Sequence, residues 1–427
     1  MKKCVVIGGG LAGLSAAVYL AGKNIKVTLI ESSPKLGGRA YSFLHPSFEQ
    51  YVDNGQHIMT GCYRHTFDFL KKINAINEVE TQNEMRVPFV KEGGEEFLLN
   101  AGSFFYPLNL TSAILRYRAL SLRERFSVLR FFINDIIFNA HISKDITVAE
   151  WLKRGGQGKE EIECLWEILA VGTLNASMQK TSASLFRDIL RELFLTGSES
   201  SKIVMPKNSL SHTFVFNAIR FIEENGGEVL TSVKADKIIH DGRRVNSILT
   251  NRGDIKDFDY VISAVPLRAF KRLVFEPFTP QFNLPALEDS SILSLHIKLE
   301  SNPFKEPFYG FIGSEIHWLF NKGSYITLVT SSADKLTELD NDSIIRKFCF
   351  EIQKYFHYFN TVKILDFLVV REKNATFIPA SASNLERKNI FSPLTNFVLA
   401  GDWVDTKLPA TIEGAIKSGR GAADQVI

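Results

Sequence analysis

Three glycines near the start of the chain, followed by an acid, are spaced to bind a dinucleotide. Gly8, Gly10 and Gly13 form the pattern G-x-G-x-x-G directly after the apolar run Val5–Ile7. The first glycine permits a tight turn, the second lets the backbone approach a pyrophosphate, and the third lets a helix pack closely on the strand. Glu31 follows 18 positions after the last glycine, where it can accept hydrogen bonds from an adenosine ribose. The spacing predicts a dinucleotide whose pyrophosphate lies at a helix N-terminus.

The residues around this pattern predict a strand, a helix and a second strand. Val5–Ile7 has no polar alternation, as expected for a parallel strand covered on both faces, and Ile25–Ile30 is the next strand. The nineteen uncharged residues Cys4–Gly22, which follow Lys2 and Lys3, also resemble a signal peptide or a membrane span. The five glycines within that run, and the strand that comes after it, favour the strand–helix interpretation.

Composition limits the class of protein. A length of 427 residues predicts two domains, or one large domain with insertions, and a net charge of +3 does not support nucleic-acid binding. The 4 cysteines are scattered without a C-x-x-C pair, which fits a reducing cytosol and argues against disulfides or structural zinc. The 9 histidines show no metal-binding spacing, so we expect no metal site. The 34 phenylalanines fit either a large core or an apolar pocket.

Two further segments offer groups to the same dinucleotide. Gly37–Arg39 follows Glu31 closely and provides flexible backbone and a cation near the pyrophosphate. Near the C-terminus, the apolar run Phe397–Ala400 predicts a short strand that ends at Gly401–Asp402. The following segment, Leu408–Ala415, predicts the start of a helix, whose N-terminal amides would face an anionic or electron-rich ring edge.

These segments, together with strands at Glu228–Val233 and Tyr260–Pro266, resemble the superfamily of FAD-dependent amine oxidases and phytoene desaturases over nearly the whole chain. The resemblance implies an α/β fold in which a Rossmann-like FAD-binding domain carries an inserted α+β substrate domain. It also implies non-covalent FAD. The residues that it implies bind FAD are Gly8, Gly10, Leu11, Ala12, Gly13, Glu31, Ser32, Gly37, Gly38, Arg39, Gly55, Val233, Gly401, Asp402, Thr411, Ile412 and Glu413.

The resemblance also implies domain boundaries. The segments expected to form the FAD-binding domain are residues 1–82, 205–268 and 385–427. The segments expected to form the substrate domain are residues 83–204, predicted to be helical, and residues 269–384, predicted to contain sheet and helix. Within the last segment, strands are predicted at Ser291–Leu299, Tyr325–Ser331 and Val362–Arg371, with a helix near Asn341–Phe356.

More specific strings narrow the resemblance. Asp53–His57 (D-N-G-Q-H), Ala400–Trp403 (A-G-D-W) and Leu408–Ala415 (L-P-A-T-I-E-G-A) together resemble the hydroxysqualene dehydroxylase family. This resemblance implies reductive removal of an allylic hydroxyl to give squalene, with a hydride passing from reduced flavin to the allylic carbon. Lys298 and Leu299 depart from the more aromatic pattern expected there, which affects substrate contacts more than cofactor contacts.

Two other functions stay open on the same scaffold. One is an oxidative isoprenoid or carotenoid desaturase, because its substrates share the long isoprenoid shape. The other is a prenyl-binding carrier without catalysis, against which the intact set of Glu31, Arg39 and Gly401–Asp402 argues. The electron donor and the oligomeric state are not indicated by the sequence.

Loss of hydroxide needs a proton donor, and the candidates for catalysis are His57, Asp53 and Gln56. His57 titrates in the useful range, and Asp53 would orient it or donate a proton itself if burial raised its pKa. The alternative is structural, with Asp53 in a turn and Gln56 and His57 packed on the flavin; for Asp53 this alternative is favoured. Some family members hold a water near the flavin with a lysine, but we expect Lys298 to lie on the surface and Trp403 to pack near the flavin.

The stretch of residues 105–144 is basic and amphipathic. Its charged residues are Arg116, Arg118, Arg123, Arg125, Arg130 and Lys144, against Glu124 and Asp135. Such a helix can lie on an anionic membrane and open a path for a lipid substrate. The alternative is a helical hairpin packed on the core with a solvated cationic rim. We expect a cytoplasmic protein, and peripheral contact with the membrane stays open.

Overall fold

The computed structural model describes residues 1–102, 104–138, 142 and 145–427. Strands from distant parts of the chain form its first sheet: Lys3–Ile7 (β1), Lys26–Glu31 (β2), Glu228–Thr231 (β10), Tyr260–Ser263 (β14) and Phe397–Leu399 (β21). Their order is β10-β2-β1-β14-β21, and every neighbouring pair is parallel. Residues Cys4–Ile7 of β1 are buried, as the unbroken apolar run of this strand predicts. The carboxyl ends of strands from both ends of the chain therefore meet at one edge of the sheet.

The α-helices of the described residues surround this sheet and a second one. They are Leu11–Ala21 (α1), Arg64–Lys72 (α2), Leu108–Arg116 (α3), Leu122–Phe131 (α4), Val148–Arg154 (α5), Lys159–Glu161 (α6), Glu167–Leu174 (α7), Ala183–Leu195 (α8), Asn217–Glu224 (α9), Leu267–Phe270 (α10), Asn341–Tyr355 (α11), Ser381–Arg387 (α12) and Ile412–Asp424 (α13). Wider π-helical turns occupy Phe132–Phe138, Ile162–Trp166 and Ser211–Phe216.

Helix α1 follows β1 directly and packs between the sheet and helix α13. A side chain on Gly13 would meet the carbonyl oxygen of Gly8 at 1.8 Å, so the predicted role of the third glycine in close helix–strand packing is confirmed. A side chain on Gly419 would meet the carbonyl oxygen of Ala12 at 2.0 Å. The two helices can therefore approach only through glycine, and the strand–helix interpretation of residues 4–22 is confirmed.

A seven-stranded sheet forms the second part of the fold. Its strands are Arg86–Lys91 (β7), Glu95–Asn100 (β8), Asp289–Leu299 (β16), Phe308–Ile312 (β17), Trp318–Asn321 (β18), Tyr325–Ser331 (β19) and Ile364–Phe377 (β20), in the order β20-β16-β19-β18-β17-β7-β8. The strands and helix predicted within residues 269–384 are confirmed. The helical expectation for residues 83–204 omitted the hairpin β7–β8, which completes this sheet.

Strand β16 has two different faces. Leu293, Leu295 and Ile297 pack against helix α11, while Ser294 and His296 alternate with them and face the other way. On that other side of the sheet, helices α3–α8 form a cap with their own apolar core. Many phenylalanines lie in this core, among them Phe89, Phe131, Phe186, Phe308 and Phe320.

The remaining strands form small sheets. They are Ser42–His45 (β3) with Gln50–Asp53 (β4); Met59–Thr60 (β5), Val79–Thr81 (β6) and Ile203–Pro206 (β9); and Ala235–His240 (β11), Val245–Thr250 (β12), Gly253–Ile255 (β13) and Val274–Glu276 (β15). None of the helices in the described ranges has the length and apolar content needed to cross a bilayer. Lys144 lies outside the described residues.

Gly419→Ala tests the contact between α1 and α13. The added methyl group would overlap the backbone of Ala12, so we expect the free energy of unfolding to fall by about 1–3 kcal/mol, as in overpacked cores. Gly421→Ala is the matched control on the same helix, because its added methyl group meets nothing within 4 Å and alanine favours a helix. Denaturant unfolding measures both variants, and equal stability of the two would contradict this packing.

Candidate active site

A cavity of about 790 Å³ opens at the carboxyl edge of the parallel sheet. It is bounded by segments from the N-terminal, middle and C-terminal parts of the chain. The predicted residues that line it are Gly8, Gly10, Leu11, Ala12, Glu31, Ser32, Gly37, Gly38, Arg39, Gly55, Gln56, His57, Val233, Gly401, Asp402, Thr411 and Ile412. Three predicted residues do not line it, namely Gly13, Asp53 and Glu413. The structure therefore brings most of the predicted set around one cavity.

The floor of the cavity at its nucleotide end is bare backbone. Gly8 has φ +106, in the region that favours glycine, and a side chain there would touch the backbone of Ala264 at 3.0 Å. Gly38 has φ +61 and lies very close to Gly10. A Cβ atom added to Gly38 would lie 3.0 Å from the Cα atom of Gly10. Helix α1 begins at Leu11, the residue after Gly10, so its N-terminal amide groups face this stretch of glycine backbone. The cradle fits a pyrophosphate.

Glu31 stands at the edge of this cradle with its carboxylate fixed. Its Oε2 atom accepts a hydrogen bond from the backbone N–H of Gly9 at 2.7 Å, and its Oε1 atom accepts one from Ser33 at 2.7 Å. The hydroxyl of Ser32 also donates to Oε1 of Glu31, at 3.1 Å. A carboxylate has about four acceptor positions, so about one is left for a ribose hydroxyl. The backbone N–H of Val233 donates to the carbonyl of Glu31 at 2.9 Å. This hydrogen bond holds Val233 beside Glu31, and Val233 lines the cavity.

An ion pair between Arg39 and Asp402 joins the two ends of the chain. The Nη2 atom of Arg39 lies 2.7 Å from Oδ1 of Asp402, and its Nη1 atom donates to the carbonyl of Ala375 at 3.0 Å. Burial alone would raise the pKa of Asp402, but the charge and hydrogen bond of Arg39 outweigh burial and hold that pKa below its usual value. Asp402 therefore stays ionised beside the cavity at neutral pH.

Arg387 supports the same loop and was missed by the sequence analysis. Its buried guanidinium donates to the carbonyls of Asp402 at 2.9 Å, Val404 at 2.7 Å and Leu408 at 3.0 Å. These bonds hold the backbone between β21 and α13 in one conformation. The sequence offers no signal for this role, because Arg387 lies in a polar helix with no motif of its own.

Helix α13 presents its N-terminus to the cavity, as predicted. Thr411 caps it by accepting a hydrogen bond from the N–H of Gly414 at 3.1 Å. The side chain of Glu413 turns away, and its Oε2 atom accepts from the N–H of Thr66 at 2.8 Å and from the Thr66 hydroxyl at 2.7 Å. Glu413 therefore ties α13 to the start of α2, and its side chain is not a cofactor ligand here.

Asp53 has a structural position. Its Oδ1 atom accepts hydrogen bonds from the hydroxyl of Ser42 at 2.6 Å and from the backbone N–H of Leu210 at 2.9 Å. Burial raises the pKa of Asp53, and the charge of Lys322 opposes that rise. The neighbouring Asn54 accepts a hydrogen bond from the N–H of Tyr41 at 3.1 Å. These bonds fit the structural interpretation and leave Asp53 behind the cavity wall.

His57 and Gln56 remain at the cavity, as predicted. Burial, assisted by the positive charge of Lys322, lowers the pKa of His57 to about 4. His57 is therefore neutral at pH 7 and holds no extra proton to give. Its ring forms no hydrogen bond with any described residue, and the Nε2 atom of Gln56 likewise lacks a partner of normal length among them.

Two residues singled out in the sequence lie away from the cavity. The Nζ atom of Lys298 donates to the carbonyl of Ser47 at 2.6 Å and does not line the cavity, as expected of a peripheral lysine. Trp403 is buried and its Nε1 atom donates to the carbonyl of Val265 at 2.9 Å. Trp403 therefore supports the wall formed by Val265, which does line the cavity.

Lys322 is the charged residue that the sequence analysis overlooked. Asn321–Ser324 reads as an exposed turn, yet the side chain of Lys322 is only partly exposed. Its charge acts on Asp53, His57 and His296. A turn sequence carries no signal that its lysine points inward, because the direction is set by the strands that flank it.

Comparison with known proteins gives a consistent result. A family model described as flavin-containing amine oxidoreductase matches residues 11–427. The chain is 26% identical to a hydroxysqualene dehydroxylase of Zymomonas mobilis, covering 98% of this chain and 97% of that protein. It is 24% identical to a zeta-carotene desaturase of Zea mays, covering 98% and 82%. The solved structure of cyclohexylamine oxidase from Brevibacterium oxydans has the same fold, with a TM-score of 0.69 at 15% identity over 99% of this chain and 98% of that one.

Arg39→Met tests the ion pair at the cavity. Asp402 would keep its burial but lose its cation, so we expect the free energy of unfolding at pH 7 to fall by about 1–3 kcal/mol. A carboxylate with a lowered pKa contributes stability above its unfolded pKa and loses it as pH falls through the lowered value. The deficit of the variant should therefore shrink towards low pH, where Asp402 is protonated in both proteins.

Lys180→Met is the control for this measurement, because the side chains of Lys180 and its partner Glu288 are both more than half exposed. Such a pair contributes about 0–1 kcal/mol. Denaturant unfolding at a series of pH values compares the three proteins. A deficit for Arg39→Met that is no larger than that of Lys180→Met, or that is independent of pH, would contradict the assigned role.

Proposed function

The chain belongs to the flavin-containing amine oxidoreductase family, and from this premise we propose that it reduces hydroxysqualene to squalene by removing its allylic hydroxyl. The protein is an FAD-dependent oxidoreductase. The observation that carries the narrower proposal is the similarity to hydroxysqualene dehydroxylases along nearly the full length of both chains. The strings at residues 53–57, 400–403 and 408–415, which suggested that family, all border the cavity or its supporting loop.

The cavity residues fit FAD. The N-terminus of α1 and the glycine backbone would hold the pyrophosphate, and Glu31 would hold the ribose of the adenosine. Gly401, Asp402 and the N-terminus of α13 would hold the flavin half. FAD, when bound and reduced, supplies a hydride.

The protein's own residues must orient the alcohol, exclude water and provide a proton, because hydroxide is a poor leaving group. Gln56 and His57 lie at the cavity, where they would contact the substrate or the flavin. Neutral His57 can position the alcohol or pass a proton between its two nitrogens, but it cannot start as the charged acid at pH 7. A separate source of the proton is therefore required.

Anaerobic incubation of the reduced holoenzyme with hydroxysqualene tests the function. We expect the flavin to be re-oxidised and squalene to appear in the lipid extract. An isoprenoid desaturase would instead have its oxidised flavin bleached by a polyene substrate and would leave hydroxysqualene unchanged. A protein purified without flavin, and unable to bind added FAD, would support the non-catalytic prenyl carrier.

His57→Ala tests the proposed contact of His57 with the reacting groups. We expect normal flavin content but a single-turnover rate lowered roughly 10- to 100-fold, because a positioned proton-transfer group is lost. His357→Ala, at an exposed position away from the cavity, is the control. Because the pKa of His57 is about 4, its own titration should leave no step in the pH–rate profile between pH 6 and 7. Unchanged turnover would remove His57 from the mechanism.

We also propose that the protein contacts an anionic membrane through α3, α4 and the π-helical turn after α4. Large apolar side chains are exposed along this surface, namely Phe104, Phe105, Leu108, Leu122, Phe126, Ile133, Ile137 and Phe138. Basic side chains are exposed beside them, namely Arg116, Arg118, Arg123 and Arg130. Apolar groups that enter the lipid boundary, next to cations that face lipid phosphates, suit an anionic bilayer.

A triple variant, Phe105→Ser with Phe126→Ser and Phe138→Ser, tests this contact by flotation with vesicles containing anionic lipid. These three side chains are 75%, 62% and 75% exposed, so we expect lost vesicle binding at unchanged stability. The matched control replaces Phe278, Phe350 and Phe391, which are 56%, 65% and 58% exposed elsewhere on the protein. Equal binding by both triple variants would exclude this surface.

A further inference from the structure

Two polar side chains of strand β20 line the cavity and have no part in the function described so far. They are Glu372 and Thr376. The carboxylate of Glu372 accepts a hydrogen bond from the Nδ2 atom of Asn54 at 2.9 Å, and Asn54 directly precedes the segment Gly55–His57. Glu372 therefore lies at the half of the cavity where the flavin and the substrate would meet, and not at the adenosine half marked by Glu31.

An irregularity in the pairing of β16 with β20 brings these two side chains together. Ile292 lies opposite Glu372, and Ser290 lies opposite Thr376, so residues four apart on β20 face residues two apart on β16. A bulge of this kind turns side chains to new directions and is common beside active sites. Residues two apart on a strand are separated by about 7 Å, so their partners lie close enough for one small polar group to contact both.

The hydroxyl group of Thr376 is free to donate into the cavity. Its Oγ1 atom accepts a hydrogen bond from the Nδ2 atom of Asn175 at 2.8 Å, and it bonds to no other residue in the described part of the chain. Asn175 is buried, with a φ of 48° that asparagine tolerates. Its carbonyl accepts from the hydroxyl of Ser290 at 2.6 Å, so Asn175 is held from two sides. The hydroxyl hydrogen of Thr376 is therefore left for a ligand.

The carboxylate of Glu372 is a fixed acceptor on the same wall. The Nδ2 atom of Asn54, which holds its Oε1 atom, also donates to the carbonyl of Arg39 at 3.1 Å. The Oε2 atom of Glu372 accepts no hydrogen bond from a described residue and forms no ion pair with one. A free donor and a free acceptor on one wall complement an alcohol, whose oxygen accepts one hydrogen bond and whose hydrogen makes another.

The wall next to this pair is apolar. Ile292 lines the cavity and packs against the apolar core of the cap formed by α3–α8. Leu174, which precedes Asn175, belongs to that core. The pair therefore lies where the cofactor cavity meets the cap, a position that suits a long apolar chain carrying one hydroxyl group.

We propose that Glu372 and Thr376 form the subsite that recognises the substrate hydroxyl. In this subsite the alcohol donates to the Oε2 atom of Glu372, and its oxygen accepts from the hydroxyl of Thr376. The inference rests on the proposed function for the identity of the alcohol, but the subsite is testable without turnover. A site built to bind a hydroxyl discriminates against the analogue that lacks it, because its own polar groups are then left unpaired.

Equilibrium binding to the oxidised holoenzyme, which cannot reduce the substrate, tests the subsite. We expect the wild type to bind hydroxysqualene at least about 10-fold more tightly than squalene. Thr376→Val removes the donor and Glu372→Gln replaces the acceptor by an amide, so each should reduce the preference to less than about 3-fold. Thr376→Ser keeps the hydroxyl and should retain the preference. Thr361→Val and Glu338→Gln are matched controls at exposed positions outside the cavity.

The dissociation constant of FAD, measured by dilution of the holoenzyme, separates this subsite from a contact with the cofactor. The ribityl chain of FAD also carries hydroxyl groups, to which the same pair could bind. We expect Thr376→Val and Glu372→Gln to hold FAD within about 3-fold of the wild type. Weakened FAD binding in both variants, with an unchanged alcohol preference, would overturn the proposal and assign the pair to the cofactor.

The remaining outcomes distinguish the subsite from the proposed function. An alcohol preference that survives in both Thr376→Val and Glu372→Gln would overturn the subsite. A wild type that prefers hydroxysqualene through these residues but forms no squalene would support the subsite and refute the proposed function. Squalene formation by a wild type that binds the alcohol and the hydrocarbon equally would overturn the subsite and leave the proposed function intact.

Discussion

The contact between helices α1 and α13 is the constraint on which the rest of the structure depends. Gly419 lets α13 lie against the backbone of Ala12, so that both helices direct their N-termini at one cavity. The first helix follows the glycine loop of β1, and the second follows the loop held by Arg387. Two sources of positive potential from opposite ends of the chain therefore converge on one cavity, where we propose that the anionic cofactor binds.

Two sets of charged residues near the cavity differ in whether their charges form ion pairs. Arg39 and Asp402 are paired at 2.7 Å, so this pair closes the cavity wall and links the ends of the chain. Lys322 faces Asp53 without forming an ion pair, in a region that also leaves His296 partly unpaired. A fully paired buried network makes the structure around it rigid, whereas an unpaired buried polar group is costly. The first set suits a permanently bound cofactor.

The sequence predicted those features that depend on local backbone geometry. The roles of Gly8 and Gly13 follow from a turn and a close packing that a short motif specifies. Apolar patterning predicted β1, β2, β16, β19 and β20, but it missed the hairpin β7–β8. The sequence did not predict where side chains turn when several contacts compete. Glu413 serves α2 instead of the cavity because two donors of Thr66 lie on that side, and Lys322 points inward from a sequence that resembles an ordinary turn.

An experimental structure of the FAD-loaded protein tests the central claim most directly, that both ends of the chain form one cofactor site. We expect one FAD with its ribose hydroxyls within hydrogen-bonding distance of Glu31, and its flavin ring between the N-terminus of α13 and the segment Gly55–His57. A flavin ring that lies away from α13, or an adenosine that does not reach Glu31, would contradict the account.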